Sequence, residues 1–178
     1  QSKTIMPHFH IPLQSGSNKV LQGMKRRYNR EFFASKVQHI KQIIPDACIA
    51  VDVITGFPGE SDTDFEDTYT FIDHLPISYL HVFTYSKRPG TPASESKEQV
   101  QESIKRSRTN RLLALSDVKK GTFYNQFINT KRDVLVEEGV HQNYLYGFTD
   151  NYIKVKIKNE KEYINQIIEV TLTEQNLA

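Results

Sequence analysis

Three short polar turns contain the residues of this sequence that are best suited to bind a small molecule. The first, Gln14-Ser15-Gly16-Ser17, offers an amide, two hydroxyls and a flexible glycine in front of a helix. The second, Gly56-Phe57-Pro58-Gly59-Glu60, lets the backbone approach a ligand and ends on a carboxylate. The third, Tyr85-Ser86-Lys87-Arg88, adds a phenol and a guanidinium. Each turn alone is explained equally well as a loop or a helix cap, but three in succession predict one polar ligand site.

Each turn follows an apolar segment that is rich in β-branched or aromatic residues and typical of a strand. These segments are His8–Gln14, Cys48–Thr55 and Tyr79–Ser86. Helical patterns lie between them, at Ser17–Met24, Asn29–Ile44 and Ser61–His74. Asn29 is the predicted cap of the second, and Ser61 and Asp64 have the spacing of a capping box at the start of the third. This alternation predicts right-handed βαβ units and a parallel sheet. Such sheets bind ligands at the carboxyl ends of their strands, which is where the three turns lie.

Two polar residues within the predicted strands are further candidates. Strand alternation allows His10 and Asp52 to share a polar interior. His8 and His10 could also suggest a metal site, but two histidines without further ligands are more often satisfied core or rim residues, so we expect no metal there. Cys48, on a strand that reads as buried, is interpreted as a small apolar residue without a catalytic role.

The composition is that of an ordinary globular protein, with 178 residues, 38% hydrophobic residues and a net charge of +2. The longest apolar run, Ala47–Val51, is far shorter than the roughly 20 residues of a membrane span. No signal pattern opens the sequence, so we expect a cytoplasmic protein without a membrane partner. The single cysteine excludes an internal disulfide, and it excludes a metal cluster built mainly from thiolates of this chain.

The pattern changes in the second half of the sequence. Ser94–Lys120 predicts one long amphipathic helix that ends at Gly121. Beyond it, four short alternating segments predict a small antiparallel barrel of the OB type in size. They are Asp133–Glu137, Tyr144–Phe148, Tyr152–Lys158 and Ile164–Thr173, with Glu138-Gly139 among the turns that separate them. We therefore predict two domains, residues 1–121 and residues 122–178.

Two basic stretches are candidates for contact with a polyanion. Alternation sends one aromatic and three ammonium groups to the open face of the predicted barrel: Tyr152, Lys154, Lys156 and Lys158. The aromatic residues Tyr144, Tyr146 and Phe148 could extend this face. A solvated edge that discourages aggregation is the alternative. Because residues 122–178 carry six basic and eight acidic residues, we expect Lys105 and Arg108 of the basic helix to share an RNA contact.

Four ordered motifs over roughly residues 6–120 resemble those of the radical S-adenosylmethionine (SAM) methylthiotransferases. They are His10-Ile-Pro-Leu-Gln-Ser-Gly-Ser17, Met24-Lys-Arg-Arg-Tyr28, Asp52-Val-Ile-Thr-Gly-Phe-Pro-Gly-Glu60 and Phe83-Thr-Tyr-Ser-Lys-Arg-Pro-Gly-Thr91. Val134-Leu-Val-Glu137 and Gly147-Phe-Thr-Asp-Asn-Tyr-Ile-Lys-Val155 resemble the TRAM module that follows the catalytic barrel in that family. This late segment looks most like the enzymes that methylthiolate N6-threonylcarbamoyladenosine beside the tRNA anticodon.

The resemblance implies the C-terminal half of a partial (β/α)6 barrel, with SAM over the ends of its strands. Carried over by position, the SAM contacts would be Gln14, Ser15, Gly16, Gly56, Gly59, Glu60, Phe83 and Thr84. The rim that faces the substrate would contain His10, Asp52, Tyr85 and Arg88. The intact enzyme would cleave SAM reductively, abstract hydrogen from adenine C2, insert sulfur and methylate it.

That chemistry requires two 4Fe-4S clusters, each held by three cysteines, and this sequence contains neither set. We therefore expect a C-terminal fragment that holds no cluster, has no catalytic residue of its own and is inactive alone. Its expected partners are tRNA, the missing N-terminal part and, through the open edge of the first strand, a second copy. The alternatives are an enzyme for isopentenyladenosine of tRNA, an enzyme for a ribosomal protein, and a non-catalytic RNA-binding protein with an α/β scaffold.

Overall fold

The computed structural model describes residues 5–138 and 143–178. They divide into two compact units. The α/β unit comprises residues 10–45 and 49–119, and the β unit comprises residues up to 9, residues 46–48 and residues from 120 onward. The predicted division into a domain of residues 1–121 and a domain of residues 122–178 stays a prediction. Within the described ranges, no helix has both the length and the apolar character needed to cross a membrane.

The first part of the chain alternates strands and helices as predicted. The elements are β1 (His8–Gln14), α1 (Asn18–Gly23), α2 (Arg30–Ile43), β2 (Cys48–Thr55), α3 (Asp62–His74) and β3 (Tyr79–Thr84). The strands form one sheet in the order β1-β2-β3, and β2 runs parallel to β3. The mixed α/β class is confirmed. β1 lies at an edge of this sheet. Dimerisation through this edge stays a prediction.

Local capping explains why the helices begin where they do. The Asn29 side chain accepts a hydrogen bond from the Phe32 N–H, and Ser61 forms a capping box with Asp64. Burial acts to raise the pKa of Asp64, but hydrogen bonds from Ser61, Lys19 and Ser17 outweigh it and hold the pKa well below its ordinary value. Both caps were predicted from residue spacing, because the interactions that form them span only three residues.

The single long helix predicted over Ser94–Lys120 is wrong at both ends. A short helix, α4 (Pro92–Glu95), is followed by a non-helical segment and then by α5 (Glu102–Asn125). Proline in the first turn and the Thr91 cap start α4. Gly121 does not end α5, because the buried side chains Phe123, Tyr124 and Phe127 follow it and tertiary packing outweighs its weak helix propensity.

Gly121→Ala is expected to raise the free energy of unfolding by about 0.5–1 kcal/mol, because glycine loses more backbone entropy in a helix than alanine does. A Cβ at this position would meet no atom within 4 Å. Urea denaturation of the purified chain measures the change. Ala114→Gly, at another exposed position of α5, is the matched control and should lower the stability by a similar amount. A destabilised Gly121→Ala variant would contradict the prediction.

The β unit contains a four-stranded antiparallel sheet. Its strands are β4 (Lys131–Val136), β5 (Tyr144–Thr149), β6 (Lys154–Lys158) and β7 (Ile167–Thr171), in the order β6-β5-β4-β7. The predicted alternation is correct, since Ile153, Val155 and Ile157 are buried. β6 begins later than predicted because Tyr152 has a φ of 65°, which belongs to a turn. The turn predicted at Glu138-Gly139 lies partly outside the described residues.

Candidate functional site

A cavity of about 780 Å³ in the α/β unit lies where β1, β2 and β3 end. Six of the residues predicted for the ligand site line it: Gln14, Asp52, Phe83, Thr84, Tyr85 and Arg88. The parallel sheet brings them together, because residues far apart in sequence end their strands at one edge. Within the described residues the buried Tyr85 hydroxyl has no hydrogen-bond partner. A buried unpaired hydroxyl is costly, so it indicates a place for a polar ligand atom or water.

The cavity also contains residues that were not predicted for the site. Lys25 and Arg26 line it. The Tyr28 hydroxyl holds their loop against β1 by donating to the carbonyl oxygens of Pro12 and Leu13, at 2.9 and 3.1 Å. Desolvation raises the pKa of this hydroxyl. The Met24–Tyr28 motif was a signal for this loop, but its basic residues had no assigned role because only the fold places them beside the strand ends.

Ser15 and Gly16 are not among the residues that line the cavity, and their assignment as ligand contacts stays a prediction. Both are buried against α3, where the Ser15 hydroxyl and the Gly16 N–H each lie 3.1 Å from Thr68 Oγ1. A Cβ on Gly16 would lie 2.8 Å from Thr68 Cα. This glycine allows the end of β1 to pack closely on a helix, which explains its presence without a ligand.

Of the predicted ligand floor at Gly56–Glu60, Phe57 lines the cavity, whereas Gly56 and Glu60 pack against α5. The Gly56 N–H donates to the Glu60 carboxylate, which also pairs with Arg108 at 3.2 Å. The Glu60 and Arg108 side chains are only 2% and 6% exposed. Desolvation raises the pKa of Glu60, against the opposing effects of the Gly56 N–H and of Arg108. The Gly59 N–H donates to the Glu98 carbonyl at 2.9 Å. These contacts are within the protein and none of the three residues lines the cavity, so the assignment of Gly56, Gly59 and Glu60 to SAM stays a prediction.

The structure gives Lys105 and Arg108 surroundings that do not favour the predicted contact with RNA. Both are buried. Lys105 Nζ donates to Glu102 at 2.8 Å, and Arg108 donates to Asp62 at 2.7 Å. Their positions share the helical spacing of the buried residues Leu112 and Leu115, whereas Ile104 and Val118 are exposed. That spacing was a usable signal for the buried face of α5.

His10 and Asp52 share one face of the sheet, as strand alternation predicts, but His10 is exposed there and does not lie in an interior. His10 Nε2 lies 2.5 Å from Asp52 Oδ1. Asp52 is paired in register with His81 of β3, whose ring centroid lies 4.6 Å from that of His10. Among the described residues, no group of three metal-ligating side chains lies close enough to hold a metal ion.

The β unit presents a face of alternating lysine and aromatic side chains on β5 and β6. Lys154 Nζ lies 4.7 Å from the Tyr146 ring centroid, and Lys156 Nζ lies 3.9 Å from that of Tyr144. The structure therefore brings the predicted lysines and the additional aromatic residues together. Tyr152 differs from the prediction of a free stacking partner, because its ring stacks on His8 at 3.9 Å and on Phe148 at 4.6 Å.

Residues 2–72 match the family model of the radical SAM superfamily. This part of the chain is similar to radical SAM domains. The resemblance drawn from the motifs is thereby confirmed. A solved radical SAM enzyme, the coproporphyrinogen III oxidase of Escherichia coli, has a related fold, with a TM-score of 0.56 at 13% identity over 94% of this chain and 46% of that one.

The curated relatives extend the match beyond the radical SAM domain. The threonylcarbamoyladenosine tRNA methylthiotransferase MtaB of Bacillus subtilis is 43% identical over 97% of this chain, and that of Aquifex aeolicus is 41% identical over 94%. The tRNA-2-methylthio-N(6)-dimethylallyladenosine synthase of Pelotomaculum thermopropionicum is 34% identical over 99%. This chain covers 39%, 40% and 40% of those three proteins, respectively. It therefore spans about two fifths of the length of the relatives that it matches.

Proposed function

We propose that this chain is the SAM-facing and RNA-facing part of a tRNA methylthiotransferase that modifies N6-threonylcarbamoyladenosine. The observation that carries the proposal is the match to two proteins of that name at 43% and 41% identity over almost the whole chain. It is supported by the cavity at the strand ends, where residues of all four family motifs meet. We propose that residues 122–178 form the TRAM-like barrel of this enzyme.

The cavity residues are chemically suited to SAM. Gln14 and Tyr85 offer an amide and a phenol to its polar groups, while Phe57 and Phe83 offer apolar surface to its adenine. Gln14 and Lys25 line the cavity with left-handed backbones, at φ values of 72° and 55°. Non-glycine residues rarely adopt this conformation, and they concentrate at functional sites. When bound, SAM would supply the group-transfer and radical chemistry, and these residues would orient it.

The residues of this chain do not fit an iron–sulfur cluster. A 4Fe-4S cluster requires several thiolates, and the single cysteine, Cys48, is buried in β2. We propose that cysteines outside this sequence hold both clusters of the enzyme.

The function is tested by nucleoside mass spectrometry of tRNA from a strain that lacks the gene. We expect loss of the 2-methylthio form of N6-threonylcarbamoyladenosine, with accumulation of the unmodified precursor, and recovery when the wild-type gene is restored. Loss of 2-methylthio-N(6)-dimethylallyladenosine instead would favour the activity for which the dimethylallyladenosine synthases are named. An altered ribosomal protein would favour a protein substrate, and unchanged modification would favour a non-catalytic RNA-binding protein.

We propose further that the lysine and aromatic face of β5 and β6 contacts tRNA. Lys154, Lys156 and Lys158 follow one another on one side of β6, and each lies beside an aromatic residue of β5 in the sheet register. Ammonium groups alternating with rings suit a single-stranded backbone and its bases. Because the predicted helix residues are buried, this face has to supply the contact without them.

Reversing the charge at Lys154, Lys156 and Lys158 together is expected to weaken binding of an anticodon stem–loop RNA and to remove about two units of the logarithmic salt slope. The reason is that each phosphate contact to a single strand contributes about −0.7 to that slope. Fluorescence anisotropy at several salt concentrations measures it. Lys158→Glu should weaken binding more than Lys131→Glu, a control on β4 whose lysine pairs with Glu169. An unchanged slope in the triple variant rules out this face.

A further inference from the structure

The polar side chains on the sheet face that includes His10 form a compact group beside the cavity. We call His10, Asp52 and His81 the imidazole cluster. The two histidines are exposed and Asp52 is half-buried. Tyr79 packs its ring edge against His81 at 5.3 Å, which supports the cluster from one side. A parallel sheet is usually apolar on both faces, so three polar side chains in contact on one of them require a reason.

A ligand in the cavity would reach this cluster directly. Asp52 belongs to both, since it lines the cavity and bonds to His10. Ile54 of β2 and Phe83 of β3 line the cavity next to Asp52. The imidazole cluster therefore adjoins the cavity through Asp52, next to the apolar lining residues Ile54 and Phe83.

The hydrogen bond between His10 and Asp52 determines what the cluster offers a ligand. An ionised carboxylate only accepts hydrogen bonds, so His10 Nε2 donates and the ring tautomer is set. Nδ1 of His10 then accepts from a ligand N–H or O–H, or donates when the ring is protonated. Among the described residues, the His81 ring contacts His10 and Tyr79 and makes no hydrogen bond. Both of its nitrogens are available to a ligand.

We propose that the imidazole cluster binds the N6 substituent of the substrate adenosine and selects a polar one. This inference rests on the proposed function. The two groups of relatives differ in this substituent, which is threonylcarbamoyl in one and dimethylallyl in the other. Threonylcarbamoyl carries a carboxylate, a hydroxyl and amide N–H groups, all of which can pair with imidazole nitrogens. A dimethylallyl group would desolvate the cluster without replacing its hydrogen bonds, and sites of this kind reject such an analogue strongly.

The test compares the binding of three anticodon stem–loop RNAs to the purified full chain. They carry threonylcarbamoyl, dimethylallyl or no substituent on the target adenosine. The wild-type chain is expected to bind the first about tenfold or more tightly than the second, the size of one or two hydrogen bonds. His81→Phe should reduce this ratio about tenfold while leaving the affinity for the unsubstituted RNA unchanged. His81→Gln, which keeps a donor and an acceptor, should retain part of the preference.

His39→Phe on the exposed side of α2 is the matched control and should change neither the ratio nor the affinities. Thermal unfolding of each variant establishes that it is folded. A wild-type chain that does not discriminate, or a folded His81→Phe variant with the wild-type ratio, overturns the inference. Failure of the proposed function has a different result, because tRNA from the strain that lacks the gene would then keep its methylthioadenosines.

Discussion

Arg108→Met is expected to lower the free energy of unfolding by about 3–5 kcal/mol, because it leaves a buried carboxylate without its cation. The Glu60 side chain is 2% exposed, and Arg108 is the cation that pairs with it at 3.2 Å. Arg108 also donates to the Glu60 carbonyl at 3.2 Å and to Asp62 at 2.7 Å. Removing the guanidinium therefore breaks three contacts at once. Urea denaturation at neutral pH measures the loss.

Two further variants separate the buried pair from general effects on α5. Arg106→Met, two positions away and exposed, should change the stability by less than about 0.5 kcal/mol. The double variant Glu60→Gln with Arg108→Met should be more stable than Arg108→Met alone, since it removes the unpaired charge. Equal losses of stability for Arg106→Met and Arg108→Met would show that Arg108 and Glu60 do not form a buried pair in solution.

Gly56→Ala is expected to lower the free energy of unfolding by about 2–5 kcal/mol, from two additive costs. A φ of +72° places the residue in the left-handed region, which costs a residue with a Cβ roughly 1–2 kcal/mol. The added Cβ would also overlap Cγ of Lys105, which is fully buried and held by Glu102. Overpacking of this kind costs about 1–3 kcal/mol.

Gly90→Ala isolates the backbone cost. Gly90 has a φ of +77°, but a Cβ there would meet no atom within 4 Å. The free energy of unfolding of Gly90→Ala should fall by about 1–2 kcal/mol. The difference between the two variants therefore measures the contact with Lys105. Similar losses in both would refute the steric argument. Because Gly56 and Arg108 lie in packing contacts, we expect either variant to weaken SAM binding only through unfolding.

Local interactions explain which elements were predictable. The bounds of β2 agree with the prediction, and the caps at Asn29 and Ser61 are where residue spacing places them. α5 was not predictable in the same way. Its start, its passage through Gly121 and its buried face depend on side chains that are distant in sequence, including Glu60 and Asp62. From the sequence alone, a charged residue in a helix is predicted to be exposed, because its buried partner is not known.

The candidate site divides in the same manner. The motifs correctly indicated that polar residues follow three strands, and the structure gathers Gln14, Tyr85 and Arg88 around one cavity. Motif membership did not distinguish residues that line the cavity from those that pack behind it. Gly16 and Glu60 belong to motifs as clear as that of Arg88, yet both face other parts of the protein.

The sequence by itself determined the order of the strands and helices, the caps and the resemblance to a family, because these follow from residues close together along the chain or from motifs matched in order. Only the tertiary structure decided which motif side chains meet the cavity, which cations are buried and which histidines lie together. The physical reason is that burial and pairing depend on contacts between distant segments. Lys105 and Lys156 have the same side chain, and only the packing around each makes the first a buried support and the second part of an accessible face.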